Sequence, residues 1–276
     1  FVDGRYTIQV REQVDGKNWS YQSVPDTSVS AWLAEHAPQG GRIGYDPWVH
    51  TKTWVEAATK ALAEKGADLV AVDRNPIDAV WEDQPAPSAA KLMVLEDQYT
   101  GRSSAEKRQE VAEWLAKDNL DAAIISALDS VAWLFNVRGN DVERTPVALS
   151  FAVLNADGTA DLYVDPAKID DAVRQHLGNA VRVHDRAAFT PALAAMAGKR
   201  VAVDPERAVS AIFSRLTSGG ATIVEVRDPT VLPRAIKNTV EQAGHRAAQK
   251  RDGAALTRFL HWLSVEAPKG GQTELS

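Results

Sequence analysis

The chain has 276 residues, 45% hydrophobic and 25% charged, enough apolar material for more than one core and for one or two domains. A net charge of −6 argues against a nucleic-acid partner, which calls for a basic face, and no apolar stretch is long enough to cross a membrane. The absence of cysteine excludes disulfides, thiol nucleophiles and cysteine-based zinc sites, and a cytoplasmic location is expected.

In chain order, the first segments return later. Phe1-Val2-Asp3-Gly4 is echoed by Tyr163-Val164-Asp165-Pro166, the run from Gly41 to Pro47 by that from Lys199 to Pro205, and the run from Gly66 to Val72 by that from Gly220 to Val226. In each copy the pattern reads as a strand ending at Asp-Pro, a helix for which Asp is the N-cap and Pro the first residue, a Gly stop and another strand. That is an α/β unit used twice. The second copy carries roughly sixty residues ahead of its Tyr-Val-Asp that the first copy lacks, so the chain is expected to begin inside a domain.

Between the copies, the run from Gln84 to Ala90 reads as a linker. Ser103 with Glu106 makes a capping box ahead of Val111, Trp114 and Leu115, and Ala122 to Ile125 follows as a strand. The charged run Glu106-Lys107-Arg108-Gln109-Glu110 reads as a solvated helix face. Then comes the most informative segment, Ala127 to Leu154. Asp129 is suited to cap a short helix that buries Val131, Trp133, Leu134 and Phe135 and ends near Asn136. Val137 to Asp141 turns the chain, and the apolar run from Val147 to Leu154 predicts a strand buried on both faces. Asn155-Ala156-Asp157-Gly158 predicts a hairpin, which makes the sheet mixed. A last helix starts at about Asn238, boxed by Glu241, carries an apolar stripe from Val240 to Leu263 and stops before Pro268. A helix of that length needs a partner for its stripe, so the chain is expected to be part of a larger polypeptide. The eight tryptophans are expected to serve mostly as core or interface anchors.

Few residues suggest chemistry. No two of His36, His50, His176, His184, His245 and His261 stand three to five apart as a helical zinc pair would. Phosphate-binding loops, dinucleotide fingerprints and nucleophile elbows are missing. Arg138, Gly139 and Asp141 are the candidates for a site-facing or substrate-binding role. A guanidinium is a fixed fork suited to a carboxylate, and Gly139 lets the backbone approach closely. The alternative is that Arg138 pairs with Asp129 or Asp141 to hold the turn.

The same segments carry a resemblance. Asp3-Gly4-Arg5-Tyr6, Gly44-Tyr45-Asp46-Pro47, Asn75 to Trp81, Tyr99-Thr100-Gly101, Ala127 to Leu154, Ile236-Lys237-Asn238 and Pro268 to Glu274 resemble, in order, the three-domain Xaa-Pro aminopeptidases, relatives of creatinase and prolidase. One departure is Arg144-Thr145-Pro146, where the family often carries a His before the Pro; no role of that His is carried over.

The resemblance implies an α/β fold class: two creatinase-N-type, ribonuclease H-like domains with mixed sheets, the first truncated, then the first helix of a pita-bread catalytic domain. The implied boundaries are residues 1–86 for the remainder of the first domain, 87–101 for a linker, 102–230 for the second domain and 231–276 for the start of the catalytic domain. It further implies a metallopeptidase that removes the N-terminal residue from short peptides with proline in second position. The metals would be a divalent pair, commonly manganese, bound outside this chain by two Asp, one His and two Glu. No catalytic residue or metal ligand is therefore assigned here, and the chain alone is expected to be inactive. A homodimer is implied for the full-length protein, with neither nucleic acid nor membrane as partner. The competing class is a non-catalytic binding module, because the same domain types occur in proteins that kept the shape and lost the metals.

Overall fold

The computed structural model describes residues 1–24 and 26–273; Glu274, the last residue of the resemblance, lies outside them. In the first unit, α1 (Val29–His36) is capped by Ser28, β1 (Arg42–Tyr45) follows, α2 (Lys52–Ala63) is capped by Thr51, and β2 (Asp68–Ala71) lies parallel to β1. The second unit contains α3 (Ser104–Lys117), β3 (Ala122–Ile125), α4 (Leu128–Phe135), β4 (Phe151–Asn155) and β5 (Ala160–Tyr163). It continues through α5 (Asp171–Leu177), β6 (Val181–His184), α6 (Phe189–Ala194), β7 (Arg200–Val203), α7 (Ser210–Ser218) and β8 (Thr222–Glu225). Its six strands run in the order β8-β7-β3-β4-β5-β6. β4 is antiparallel to both its neighbours and the other pairs are parallel, so the sheet is mixed as expected.

The sequence repeat is a repeat of hydrogen bonds. Asp68 N–H donates to Gly41 O at 2.8 Å, and Thr222 N–H donates to Lys199 O at 2.8 Å. Val2 N–H donates to Gln22 O (2.9 Å) as Val164 N–H does to His184 O (3.0 Å). Asp3 and Asp165 each cap a short 3-10 turn.

The Asp-Pro pairs depart from the expectation. Asp46 and Asp204 do not cap α2 and α7, which begin several residues later. Each carboxylate instead closes its own turn, accepting from Trp48 N–H (2.8 Å) and Glu206 N–H (2.9 Å). The second oxygen accepts from Asn75 Nδ2 (2.9 Å) in one unit and from Asp228 N–H (2.9 Å) in the other.

The residues between turn and helix join the two units. Lys52 N–H donates to Ala208 O (3.3 Å) while Ser210 N–H donates to His50 O (2.8 Å). Thr53 N–H donates to Pro205 O (3.2 Å) while Ala211 N–H donates to Pro47 O (3.0 Å). Each bond has its counterpart with the roles of the two copies exchanged, the self-complementarity of a two-fold interface within one chain. Lys52 also reaches Glu225 at 2.8 Å.

Helices cover both faces of the six-stranded sheet, and every residue of β3 is buried. On one face Val111 and Leu115 of α3, Val131, Leu134 and Phe135 of α4, and Val173 and Leu177 of α5 form the core. On the other are Phe189 and Leu193 of α6 and Ile212, Phe213 and Leu216 of α7, with Trp48 of the first unit packed against them. Fully burying such a side chain stabilises the fold by about 1.5–3 kcal/mol. The hairpin forms at the expected residues, with Gly158 at φ 81°.

Three expectations are corrected. The strand predicted from Val147 is only Phe151–Asn155, because Val147 O and Leu149 N–H are engaged by the backbone and carboxylate of Asp141 (3.1 and 2.8 Å). Asp129 does not cap α4: Ala127 holds the N-cap position and Asp129 accepts from Ser130 N–H (2.9 Å). Among the tryptophans, Trp133 is buried and Trp48 is an interface anchor, but Trp19, Trp81 and Trp262 are exposed.

The last helix, α8 (Thr239–Glu266), runs 28 residues from the predicted Asn238–Glu241 capping box. Leu256, Phe259 and Leu260 on it are exposed. No helix among the described residues is long and apolar enough to cross a membrane.

Candidate functional site

The apolar face of α4 explains where the Arg138 turn lies. Val131, Leu134 and Phe135 bury the helix, and Asn136 ends it in the left-handed conformation at φ 50°. Val137 and Arg138 then pair antiparallel with Val94 and Met93. This brings Arg138 to the wall of a groove of about 920 Å³ between α4, the Thr145–Val147 segment and the first turns of α8. Trp133, Arg234, Lys237, Glu241 and His245 also line it.

Arg138 pairs with neither Asp129 nor Asp141. Its Nη1 donates to Ala132 O and Val137 O, both at 2.8 Å, which stops the carboxyl end of α4. Among the described residues no carboxylate lies within ion-pair distance of it. Burial pulls the guanidinium below its ordinary pKa, and the charge of Glu241 opposes that shift. It stays protonated at any ordinary pH. Asp129 pairs instead with Arg234, which ties α4 to the segment leading into α8.

Gly139 and Asp141 face inward. A Cβ on Gly139 would lie 2.8 Å from the Ala148 Cβ, the Ala148 nitrogen and the Val147 oxygen. Two of these are backbone atoms, so Gly139→Ala is expected to cost about 1–3 kcal/mol by overpacking. A lowered midpoint in chemical denaturation checks it; an unchanged midpoint would mean that the strand shifts freely. The Asp141 carboxylate pairs with Lys168, with side-chain exposures of 0% and 5% respectively, and accepts from Leu149 N–H at 2.8 Å.

The run around Lys107 is a further correction. Lys107 and Arg108 are 2% and 7% exposed, not solvated. Ser104, Lys107, Arg108, Val111, Ala112 and Leu115 are the buried residues of α3, and their three- and four-residue spacing is the signal in the sequence that places both cations on the inner face. Arg108 donates to Gly158 O (2.5 Å) and holds the hairpin. Lys107 Nζ donates to Trp133 O (3.0 Å) and Asn136 Oδ1 (2.5 Å) and lies 4.4 Å from the Trp133 ring centroid. Burial pushes its pKa down to about 8; Glu241 opposes this, and Arg138 and Arg102 add to it.

Asn136 then extends the contact. Its Nδ2 donates to Arg102 O (2.8 Å) and reaches Thr100 Oγ1 and Asp97 Oδ1 (3.2 Å each). Asn238 Nδ2 donates to Thr100 O (2.8 Å), while its Oδ1 accepts from Glu241 N–H (2.9 Å). The sequence places a helix end near Asn136 and a capping box at Asn238, but no local pattern shows that Thr100 joins them.

The histidines remain dispersed, and among the described residues no group of three or more His, Asp or Glu side chains is placed to hold a metal ion. The residues present therefore do not fit a metal centre, and no chemical step is routed through one.

The family model for the creatinase/prolidase N-terminal domain matches residues 1–80, and a second model of the same description matches residues 83–241. The chain belongs to this family. It is 36% identical to the probable Xaa-Pro aminopeptidase P of Aspergillus flavus, over 96% of this chain and 42% of that protein. To the probable Xaa-Pro aminopeptidase P of Paracoccidioides brasiliensis it is 36% identical over 96% of this chain and 45% of that protein. Its structure matches that of the X-prolyl aminopeptidase of Caenorhabditis elegans with a TM-score of 0.86 and 29% identity, covering 98% of this chain and 45% of that one. That protein is described as a cytosolic enzyme with a di-nuclear active site. The resemblance read from the sequence is thus the one that the comparisons find, and the chain spans less than half the length of these relatives.

Proposed function

We propose that this chain is the non-catalytic front of a metal-dependent aminopeptidase that removes the N-terminal residue from short peptides with proline in second position. The observation that carries the reading is the match to an X-prolyl aminopeptidase over nearly the whole chain, in fold and in sequence. In this reading residues 1–86 and 102–230 are two creatinase-N-like domains joined by 87–101, and residues 231–276 open the catalytic domain. A pair of divalent metals, manganese in this proposal, belongs to the part of the protein beyond this chain, and it would activate water for attack on the scissile bond. This chain positions that part, narrows access to short peptides and contributes to a homodimer in the cytoplasm.

Arg138 is the site-facing residue of the proposal, with Gly139 and Asp141 holding its turn. Two features support it: a half-buried guanidinium without a carboxylate partner among the described residues, and a place on the groove wall beside α8. Such a cation is suited to a peptide carbonyl or carboxylate.

Full-length protein loaded with manganese is expected to release the first residue from an Xaa-Pro peptide and not from an Xaa-Ala control, with loss of release on chelation. No release from folded protein would move the assignment to a binding module. In the same assay Arg138→Ala is expected to lower kcat/KM by about tenfold to a hundredfold, the worth of one hydrogen bond to a charged group. Unchanged kinetics with a lower melting temperature would leave Arg138 only its role at the end of α4.

A further inference from the structure

Lys107 has no place in the proposed chemistry, yet it starts a polar chain that runs through buried Asn136 and Thr100 to Asn238. It is a cation almost fully removed from water, and its Nζ has two oxygen acceptors and one aromatic face but no carboxylate within ion-pair distance among the described residues. Burying a charge in this way is costly unless its partners are fixed. Its partners are the Trp133 carbonyl in the last turn and the C-cap side chain of α4, the helix that delivers Arg138.

The partners of those partners lead to α8. Asn136 accepts from Lys107 and donates to Thr100 and Arg102; Thr100 O accepts from Asn238, which caps α8. Gly101 makes the close approach possible: it sits at φ 68°, and a Cβ there would lie 2.7 Å from Asn238 Oδ1 and 2.9 Å from the Val240 Cβ. Lys107, Thr100, Trp133, Asn238 and Glu241 line one cavity of about 360 Å³ beside the groove. Trp133 and Glu241 line the groove as well, so the cavity and the groove share a wall.

We propose that Lys107 is a positioning residue which, through Asn136 and Thr100, fixes the start of α8 against the second unit and thereby sets the spacing between Arg138 and α8. The proposal rests on the aminopeptidase reading for its effect on substrate; the mechanical link stands on the hydrogen bonds alone. A purely local helix stop would require only the contact to Trp133 O. The continuous run to Asn238 predicts that a change at Lys107 is felt at α8.

The test uses the full-length protein and two readouts. In amide hydrogen exchange, Lys107→Met is expected to speed exchange at residues 136–139 and 239–242 while β3, β4 and β7 keep their protection. Asn238→Asp keeps the acceptor that caps α8 but loses the donor to Thr100, and is expected to speed exchange at 239–242 only. In peptide release, Lys107→Met is expected to raise KM about tenfold with kcat within about twofold, the scale of coupling through a packed network. Lys107→Arg recovers most of that loss. The Lys107→Met, Asn238→Asp double variant is expected to be less than additive in KM, as for residues in one network. Exchange at 239–242 unchanged in Lys107→Met, or protection lost throughout the second unit, overturns the proposal. If Lys107→Met does not fold, equal exchange at 239–242 in Asn238→Asp and the parent overturns it instead. Absence of peptide release from the parent overturns the aminopeptidase reading, and the exchange pattern still decides the link.

Discussion

Asp141→Ala is expected to lower the unfolding free energy of the chain by about 3–5 kcal/mol, the cost of leaving one member of a buried ion pair alone. The partner is Lys168, and neither side chain has appreciable contact with water. The loss extends beyond charge, because Asp141 also accepts the N–H of Leu149, so the carboxylate fixes the segment that leads into β4. The pair has a pH signature. Burial works to raise the Asp141 pKa, but hydrogen bonds from Lys168, the Leu149 N–H and Ser88 outweigh it, and the folded value lies below the ordinary 3.8. A carboxylate depressed on folding contributes stability that is complete above its unfolded pKa and is lost as the pH falls through its folded one. Urea midpoints measured from pH 7 to pH 2.5 should therefore show the difference between parent and Asp141→Ala largest at neutral pH and shrinking below about pH 4. A difference that stays constant across this range would mean that packing rather than the ion pair carries the effect. Replacing both partners with apolar residues is expected to cost less than Asp141→Ala alone, since no buried charge is then left unpaired.

The architecture was legible in the sequence where local chemistry and tertiary demand agree. The capping boxes at Ser103–Glu106 and Asn238–Glu241, the Asn155–Gly158 hairpin and the internal repeat all form as the residues suggest. The repeat is carried by short-range patterns, which survive in each copy separately. What the sequence concealed depends on partners distant in the chain. Asp46-Pro47 and Asp204-Pro205 look like helix starts, but the residues after them are taken up by contact with the other copy, and that contact has no local signature. Lys107 and Arg108 sit in a run of charges whose composition says surface; only their spacing from Val111 and Leu115 says interior. Arg138 stands out in the sequence as a candidate, yet its contacts are the carbonyls of Ala132 in α4 and of the preceding Val137, and the two acids weighed as its partners, Asp129 and Asp141, are claimed by Arg234 and Lys168. Competition among several cations for a few carboxylates is decided by tertiary geometry.

Asn136→Ala is expected to be nearly as damaging as Asp141→Ala, about 3 kcal/mol or more, for two separable reasons. The first is the backbone: Asn136 holds φ 50°, a left-handed conformation that asparagine tolerates and alanine disfavours by about 1 kcal/mol. The second is the side chain, which is fully buried and meets Lys107, Thr100 and Arg102 at once. Asn136→Gly separates them, because glycine takes the left-handed conformation without steric cost while removing the same polar atoms. The glycine variant is expected to lose about 2 kcal/mol, the penalty for buried polar groups left without partners. Chemical denaturation of the parent, both variants and the Asn136→Ala, Lys107→Met double variant completes the comparison. The double variant should lose less than the sum of its two singles, since it deletes a donor together with its acceptor. Strict additivity would show that Lys107 and Asn136 contribute independently, and the path from α3 through Asn136 and Thr100 to α8 would then be broken at its first step.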